Sequence, residues 1–391
     1  MALLAWIDWW YVIAIAGTAV CALTLTMTMV NLRGVYRRSP NNPSANGLAK
    51  LSVCIPARNE EANIEGVVRS LLANGHPDFE VVVVDDGSTD RTPEILEALA
   101  SKDERVRPVR SEPLPAGWVG KQWACMQAGE HARGEWLLFT DADVRFSEDA
   151  LSRAHAEALR LKTDLLSTVP RQELGTWIER AVVPMIHFLL LSYLPMPRMR
   201  TTREPGTSAG CGQFLLISRE AYGAIDGHGA FKDSMHDGIK MPRAVRGAGF
   251  HSDLFDGTDL CACRMYFGLR STWRGFAKNA YEGLGAPALL VFLTVIHALG
   301  HAGPWALLPL ALLTPVVPAG VAPLALASIV CALWQRTIIA RRMEQPMSTV
   351  ALHPIGVLLM TLIQWDSFVR HLRGARSWRG RSMGEADAIG V

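Results

Sequence analysis

Glu80-Val81-Val82-Val83-Val84-Asp85-Asp86-Gly87-Ser88-Thr89-Asp90 sets four consecutive valines against a cluster of carboxylates and turn formers. A short, unbroken apolar run bounded by turn residues reads as a strand buried on both faces, and Asp85–Asp90 marks its carboxyl end. The pattern recurs on either side. Leu51–Pro56 (LSVCIP) reads as an earlier strand, Val106–Arg110 as a third and Glu135–Thr140 (EWLLFT) as a fourth. Between them, Glu60–Ala73 carries Ile64, Val67, Val68, Leu71 and Leu72 at helical spacing, and Pro93–Ala100 and Lys121–Ala132 also read as helices. Strand and helix alternate and the strands are continuously apolar, which predicts a mixed α/β domain over residues 50–267, its largely parallel sheet covered on both faces.

The remainder of the 391 residues is of another kind. Charged residues make up only 19% and hydrophobic ones 49%, with mean hydropathy +0.15, so neither an ordinary soluble protein nor a disordered chain is expected. Lys+Arg 39 against Asp+Glu 37 leaves +2, too balanced for a nucleic-acid binder. Trp9–Leu32 is free of charge and long enough to cross ~30 Å of hydrocarbon. Arg33, Arg37 and Arg38 follow it rather than precede it, so residues 1–38 read as a retained transmembrane anchor whose downstream side is cytoplasmic. Trp6, Trp9, Trp10 and Tyr11 suit the opposite interface, and Ser39–Gly47 reads as a linker. Ala286–Trp334 contains no Asp, Glu, Lys or Arg and can hold two spans, with a turn either in Gly300–Trp305 or near Pro315–Pro323. Gln345–Trp365 is again uncharged, yet Arg370, Arg373, Arg376, Arg379 and Arg381 follow it. A third C-terminal crossing would carry them outside, against the positive-inside bias; the segment returns, lies flat, or the preceding stretch divides differently. Residues 286–369 are thus expected to be transmembrane or interfacial helices and 370–391 a basic cytoplasmic tail. Ala181–Pro197, uncharged but broken by Pro184 and Pro195, suits an interfacial or re-entrant helix. The seven cysteines form no CxxC pairs and read as reduced packing residues.

Ligands of open α/β sheets bind beyond the carboxyl ends of strands, so the residues there carry the chemistry. In Asp85–Asp90, Asp86 suits a hydrogen bond from a nucleobase imide or ribose hydroxyl and Gly87 allows close approach; the same residues also suit a turn and a helix cap before Pro93. Asp141-Ala142-Asp143 offers two carboxylates able to share a hard divalent cation, although such triplets also serve as solvated turns. In Pro56-Ala57-Arg58-Asn59-Glu60-Glu61 the proline is expected to end pairing and Arg58 to face phosphate or base. Glu60 and Glu61 would open a helix whose dipole favours them.

These three motifs, each ending an expected strand and about 27 and 55 residues apart, resemble the family 2 glycosyltransferases, the inverting GT-A type. The resemblance covers about residues 50–283 and implies a GT-A, Rossmann-like mixed sheet with helices on both faces, flanked by N- and C-terminal transmembrane helices. It implies that Pro56, Arg58, Glu60 and Asp86 hold the base and ribose of a UDP- or GDP-sugar, that Asp141 contacts the donor, and that Asp143 binds Mn²⁺ or Mg²⁺ on its diphosphate. Lys121 of Gly120-Lys121 falls where such enzymes place a donor-contacting lysine, with Gln127 standing in for a usual Asn. Inverting transfer needs a general base, and the resemblance implies Asp237, in Asp233-Ser234-Met235-His236-Asp237, with Asp233 as the alternative. Ala209–Phe214 (AGCGQF) resembles a glycine-rich turn under the donor sugar. His228, His236 and His251 are further candidates for a third metal ligand, or else packing and surface residues. Thr272-Trp273-Arg274 replaces the QxxRW of processive members, which argues against a polymer synthase. Membrane glycosyltransferases associated with hopanoid and carotenoid pathways are more similar, with Trp273, Phe276, Lys278 and Tyr281 at the bilayer surface. The expectation is an inner-membrane, multi-pass enzyme with a cytoplasmic catalytic domain, transferring a sugar with inversion to a lipid hydroxyl. A polyprenyl-phosphate sugar synthase, using Arg198, Arg200 and Arg203 for the phosphate, and a non-catalytic sugar-nucleotide binder are the alternatives.

Overall fold

The computed structural model describes residues 8–41 and 47–373, with the backbone of 377–378 and 381–382. Trp6, most of the expected linker and the tail arginines Arg376 and Arg379 lie outside the described residues. The chain forms two compact units, one from Gly34–Glu173 and Pro195–Met265, the other from Met1–Arg33, Leu174–Leu194 and Tyr266–Leu372. Segment 174–194 and residues 266–283, inside the expected catalytic domain by sequence, therefore group with the apolar helices.

The first unit carries β1 (Leu51–Ala57), β2 (Phe79–Asp85), β3 (Val106–Arg110), β4 (Trp136–Phe139), β5 (Val144–Phe146), β6 (Leu165–Ser167), β7 (Arg171–Gln172), β8 (Leu215–Ser218), β9 (Ser252–Leu254) and β10 (Cys261–Cys263). Seven of them form one sheet in the order β3-β2-β1-β4-β8-β6-β9, and β5-β10-β7 form a second. β1 pairs parallel with both β2 and β4, while β8 runs antiparallel to β4 and β6, so the sheet is mixed. Alternate valines of β2 face opposite covered sides. Val81 and Val83 join one core with Ile64, Val67 and Leu71, and Val82 and Val84 join another with Ala124, Cys125 and Ala128. Burial of both faces is why the strand carries no polar alternation.

Chain order reverses between β1 and β4, the switch point of the sheet. Their pairing ends at Cys54↔Phe139, whereas β1 stays in register with β2 through Pro56↔Val84 and Ala57↔Asp85. Pro56 therefore does not end the strand, as the sequence suggested. The ladder is lost on the β4 side alone, at the switch point, the place where ligands of open sheets bind.

Glu80 is a charged side chain buried in β2, just ahead of the valines. Its Oε1 accepts from Ser52 Oγ at 2.7 Å and from Arg133 N at 2.6 Å, and its Oε2 from Arg107 Nη1 at 2.7 Å. Burial pushes its acidity down, but these donors outweigh burial and hold the carboxyl below its ordinary value of 4.5. Stability from this group is present above that value and is lost as pH falls through the lower folded one. Glu80→Gln is expected to cost roughly 1.5–3 kcal/mol at pH 7 and to flatten the acid limb of a Tm-against-pH series.

In the second unit three helices are long and apolar enough to cross a membrane, Trp9–Gly34, Pro287–Leu313 and Ala319–Arg342. The chain stays helical through Gly300–Trp305 because a wide π-type turn at Ala298–Ala302 absorbs the N–H missing at Pro304. The break falls at 314–318, between Leu313 and Ala319, at the later of the two expected positions. His353–Leu372 is helical but is not one of these candidate spans. Trp273 Nε1 donates to its Asp366 at 2.8 Å, and Tyr281 packs on its Phe368 and His371. The stretch 181–197 is not one helix; Pro184 divides Trp177–Val182 from Met185–Tyr193. Gln335 Nε2 donates to Thr28 Oγ1 and Ser192 Oγ, both at 2.8 Å, a polar seam of the kind that joins helices in apolar surroundings.

Candidate active site

The loops after β1 and β2 are tied together by a short ladder of side chains. Asn59, in the left-handed region at φ 53°, donates its N–H to Ser88 Oγ at 2.9 Å and accepts from Thr89 N at 2.8 Å. Glu60 N donates to Thr92 Oγ1 at 2.9 Å, and Asn63 Nδ2 donates to Glu60 Oε2 at 2.9 Å. Arg58 Nη1 donates to the carbonyl oxygen of Asp86 and, at 3.3 Å, to its Oδ2. Asp86 is buried, and Gly87 at φ 64° makes the turn beyond it. Sequence reading singled out Arg58, Glu60 and Asp86 but missed Asn59. Its only signal was an Asn at the end of a strand, a residue type that tolerates positive φ.

After β4, Thr140 Oγ1 donates to Gln213 O at 2.8 Å, which ties the start of Asp141-Ala142-Asp143 to the glycine-rich turn. Lys121, in the first turn of the helix Gly120–His131, reaches Asp141 Oδ1 at 2.8 Å and Asp237 Oδ2 at 2.9 Å. The helix start is held in turn: Val119 N donates to Lys232 O at 2.8 Å and Gln122 Nε2 to Ser234 O at 3.0 Å. Both bonds grip the segment that leads into Asp237, the first residue of the helix Asp237–Gly247. A Cβ on Gly212 would stand 2.1 Å from Asp237 Oδ1, and one on Gly238 would stand 2.7 Å from Gly210 O. The glycines of Ala209–Phe214 are thus needed for close approach to Asp237 itself.

The electrostatics follow from this packing. Burial works against charge on Lys121, but Asp141 and Asp237 outweigh it and hold the ammonium well above its ordinary value. Burial likewise works against the Asp237 carboxylate, and Lys121 outweighs it, so Asp237 is lowered and ionised at neutral pH. Asp143 goes the other way. Burial, then the Asp141 charge, raise it to about 7. Among the described residues its Oδ1 is buried with no hydrogen-bond partner. A carboxylate oxygen left without a donor, two residues from a second carboxylate, fits a hard divalent cation. Among the described residues no set of three His, Cys, Asp or Glu side chains converges, so a cation on Asp143 and Asp141 would take its remaining ligands from phosphate oxygens and water.

Other candidates are placed elsewhere. Asp233 is exposed, whereas Asp237 is buried against Lys121. His228 is a packing residue, its Nδ1 2.8 Å from Tyr222 OH and its ring 4.5 Å from that of Phe139; burial keeps it neutral, lowered to about 3. His251 Nε2 lies 2.9 Å from Arg200 O. Gln127 spends its amide on the loop after β3, accepting from Glu112 N at 2.7 Å and donating to Ser111 Oγ at 2.8 Å. Arg198 pairs with Glu204 at 2.8 Å and Arg200 with Asp253 at 2.5 Å, so two of the three arginines considered for an acceptor phosphate are already neutralised.

Acidic loops gathered at the switch point of a mixed, helix-covered sheet define an α/β domain of the GT-A class. Residues 52–225 match the family described as Glycosyl transferase family 2. A 4,4'-diaponeurosporenoate glycosyltransferase of Staphylococcus aureus (strain USA300) is 27% identical over 250 residues, which are 63% of this chain and about 64% of that protein's length. A mannosyltransferase from Pyrobaculum calidifontis, solved in complex with GDP-Man and Mn²⁺, superposes with a TM-score of 0.58 at 20% identity, over 93% of this chain and 99% of that one. This last likeness is one of fold.

Proposed function

We propose that this protein transfers a glycosyl group, with inversion, from a nucleotide diphosphate sugar to the hydroxyl of a lipid. The observation that carries the reading is the Lys121 bridge: one ammonium joins Asp141, beside the orphaned Asp143 oxygen, to the buried carboxylate of Asp237. In this reading Asp86 and Arg58 hold the nucleoside, with Pro56 and Glu60 shaping that side of the crevice. Lys121 and Asp141 orient the donor. A divalent cation, Mn²⁺ or Mg²⁺, held by Asp143 with Asp141, would neutralise charge on the leaving diphosphate. Asp237 accepts the proton of the acceptor hydroxyl as its oxygen forms the new bond to the anomeric carbon. The bond from that carbon to the diphosphate oxygen breaks on the opposite face, and the nucleotide leaves with the electron pair. An ionised Asp237 is in the right state to take that proton.

The S. aureus relative, named for a diaponeurosporenoate acceptor, supports an apolar acceptor here. Three crossings, at Trp9–Gly34, Pro287–Leu313 and Ala319–Arg342, would keep Arg33, Arg37 and Arg38 on the same, cytoplasmic side as Arg341, Arg342, Arg370 and Arg373. The chain from Arg342 to Arg373 then begins and ends on that side as a returning segment, His353 meeting His301 and Trp365 meeting Thr294 of the second crossing, and the charge conflict met in the sequence does not arise. The test is a screen of UDP- and GDP-sugars against membrane lipid extract, with product mass as readout. A glycolipid whose formation stops in chelator and returns with Mn²⁺ or Mg²⁺ is the expected result. Saturable donor binding with no product from any lipid fraction would overturn the enzymatic reading.

A further inference from the structure

The apolar unit contains a second concentration of polar side chains that the transfer chemistry does not use. Arg336, on the apolar helix Ala319–Arg342, is 0% exposed. Its Nη2 donates to Gln345 Oε1, while its Nε and Nη1 have no hydrogen-bond partner, and among the described residues no carboxylate pairs with it. Gln345 Nε2 lies 3.2 Å from His187 Nδ1, and His187 Nε2 is again unpartnered. Alongside, His301 Nδ1 lies 3.2 Å from His353 Nε2, and the outer nitrogens of both rings are orphaned. The ring of Phe188 sits 4.9 Å from His301 and 5.0 Å from His353. His301 belongs to the π-type turn Ala298–Ala302, a local departure from the regular ladder often found at functional sites.

An unpaired cation and several unpaired ring nitrogens, all buried among apolar helices, are a large cost for no structural return. The polar seam at Gln335 in the same unit, by contrast, is paired with Thr24, Thr28 and Ser192. What Arg336 lacks is an anion with acceptor oxygens. A guanidinium fork with two free N–H edges is suited to a phosphate or carboxylate, and rings able to donate nearby suit its other oxygens. Arg336 also lies within two turns of Arg342, toward the end of its helix on the cytoplasmic side of the proposed topology, a depth that a lipid head group drawn slightly inward can reach.

We propose that the apolar unit holds a binding site for the anionic head group, phosphate or carboxylate, of a membrane amphiphile, formed by Arg336 with Gln345, His187, His301 and His353. The site stands independently of the transfer reading and is tested without activity. Full-length protein in neutral detergent is titrated with decyl phosphate, decanoate, decanol and inorganic phosphate, and followed by Tm and by calorimetric titration. An anionic decyl amphiphile is expected to bind and raise Tm, the tighter of the two identifying the head group, while decanol does neither. Inorganic phosphate is expected to bind at least tenfold more weakly; equal binding would overturn the lipid source of the anion. Arg336→Gln is expected to weaken the amphiphile at least tenfold. Should that variant fail to fold, Arg336→Lys, which keeps the charge but loses the fork, and His353→Gln are each expected to weaken it severalfold. Equal responses to decanol and the anions, no response to any probe, or unchanged affinity in these variants would overturn the site.

Discussion

Asp237→Asn is expected to lower glycosyl transfer by about 10²–10⁴-fold, the usual range for loss of a positioned general base, with donor affinity changed by less than about threefold. Three features give Asp237 this weight. It is buried at the start of its helix, its Oδ2 is 2.9 Å from Lys121, and its Oδ1 accepts from Gly238 N at 2.8 Å. The amide variant keeps the size of the side chain and the room left by Gly212, so the fold should survive; a melting curve within a few degrees of the parent checks this. What is lost is the oxygen able to take a proton. Asp233→Asn, at an exposed position, is expected to behave like the parent. The two variants compared by initial rate and by donor titration separate the candidates: full transfer by Asp237→Asn would remove Asp237 from the reaction.

Asp143→Ala is expected to abolish measurable transfer, by roughly 10³-fold or more if it removes the anchor of a cation that stabilises the leaving diphosphate. Asp143→Asn, which keeps the size of the side chain, should lose transfer too without weakening the protein. Burial and the neighbouring Asp141 raise Asp143 to about 7, so its carboxylate form is disfavoured in the folded state. A raised acid subtracts stability as pH climbs from its ordinary value through its folded one. In chelator at pH 8, Asp143→Asn should therefore melt no lower than the parent, and with Mn²⁺ or Mg²⁺ supplied its transfer should still be lost. Undiminished transfer would end the role of Asp143 in holding a cation. A large fall in Tm would make it a structural residue instead.

The parts of the site that were legible in the sequence are those whose geometry is local. Asp86 follows four valines and Asp141 follows Trp136–Phe139, and a strand buried on both faces ends where its apolar run ends, so its carboxylates sit at the sheet's edge. The three candidate spans were legible for the same reason, since uncharged length alone sets what is able to cross hydrocarbon. Pro56 was misread because a missing N–H shows in sequence, but the side of the strand on which it matters does not. The turn after Gly300 was one of two readings, because a proline in a helix can be absorbed by a wider turn as well as by a break.

Sequence alone determined the alternation of strand and helix, the acidic strand ends and the long uncharged stretches, since each depends on residues within a few positions of one another. Only the tertiary structure decided that Lys121 joins Asp141 to Asp237, that Gly212 makes room for Asp237, and that Arg336 is buried with no acid among the described residues. Those relations bring together residues tens to more than a hundred positions apart, or depend on what else packs around them. No period or local propensity encodes such distances; they arise when separate elements close on one core.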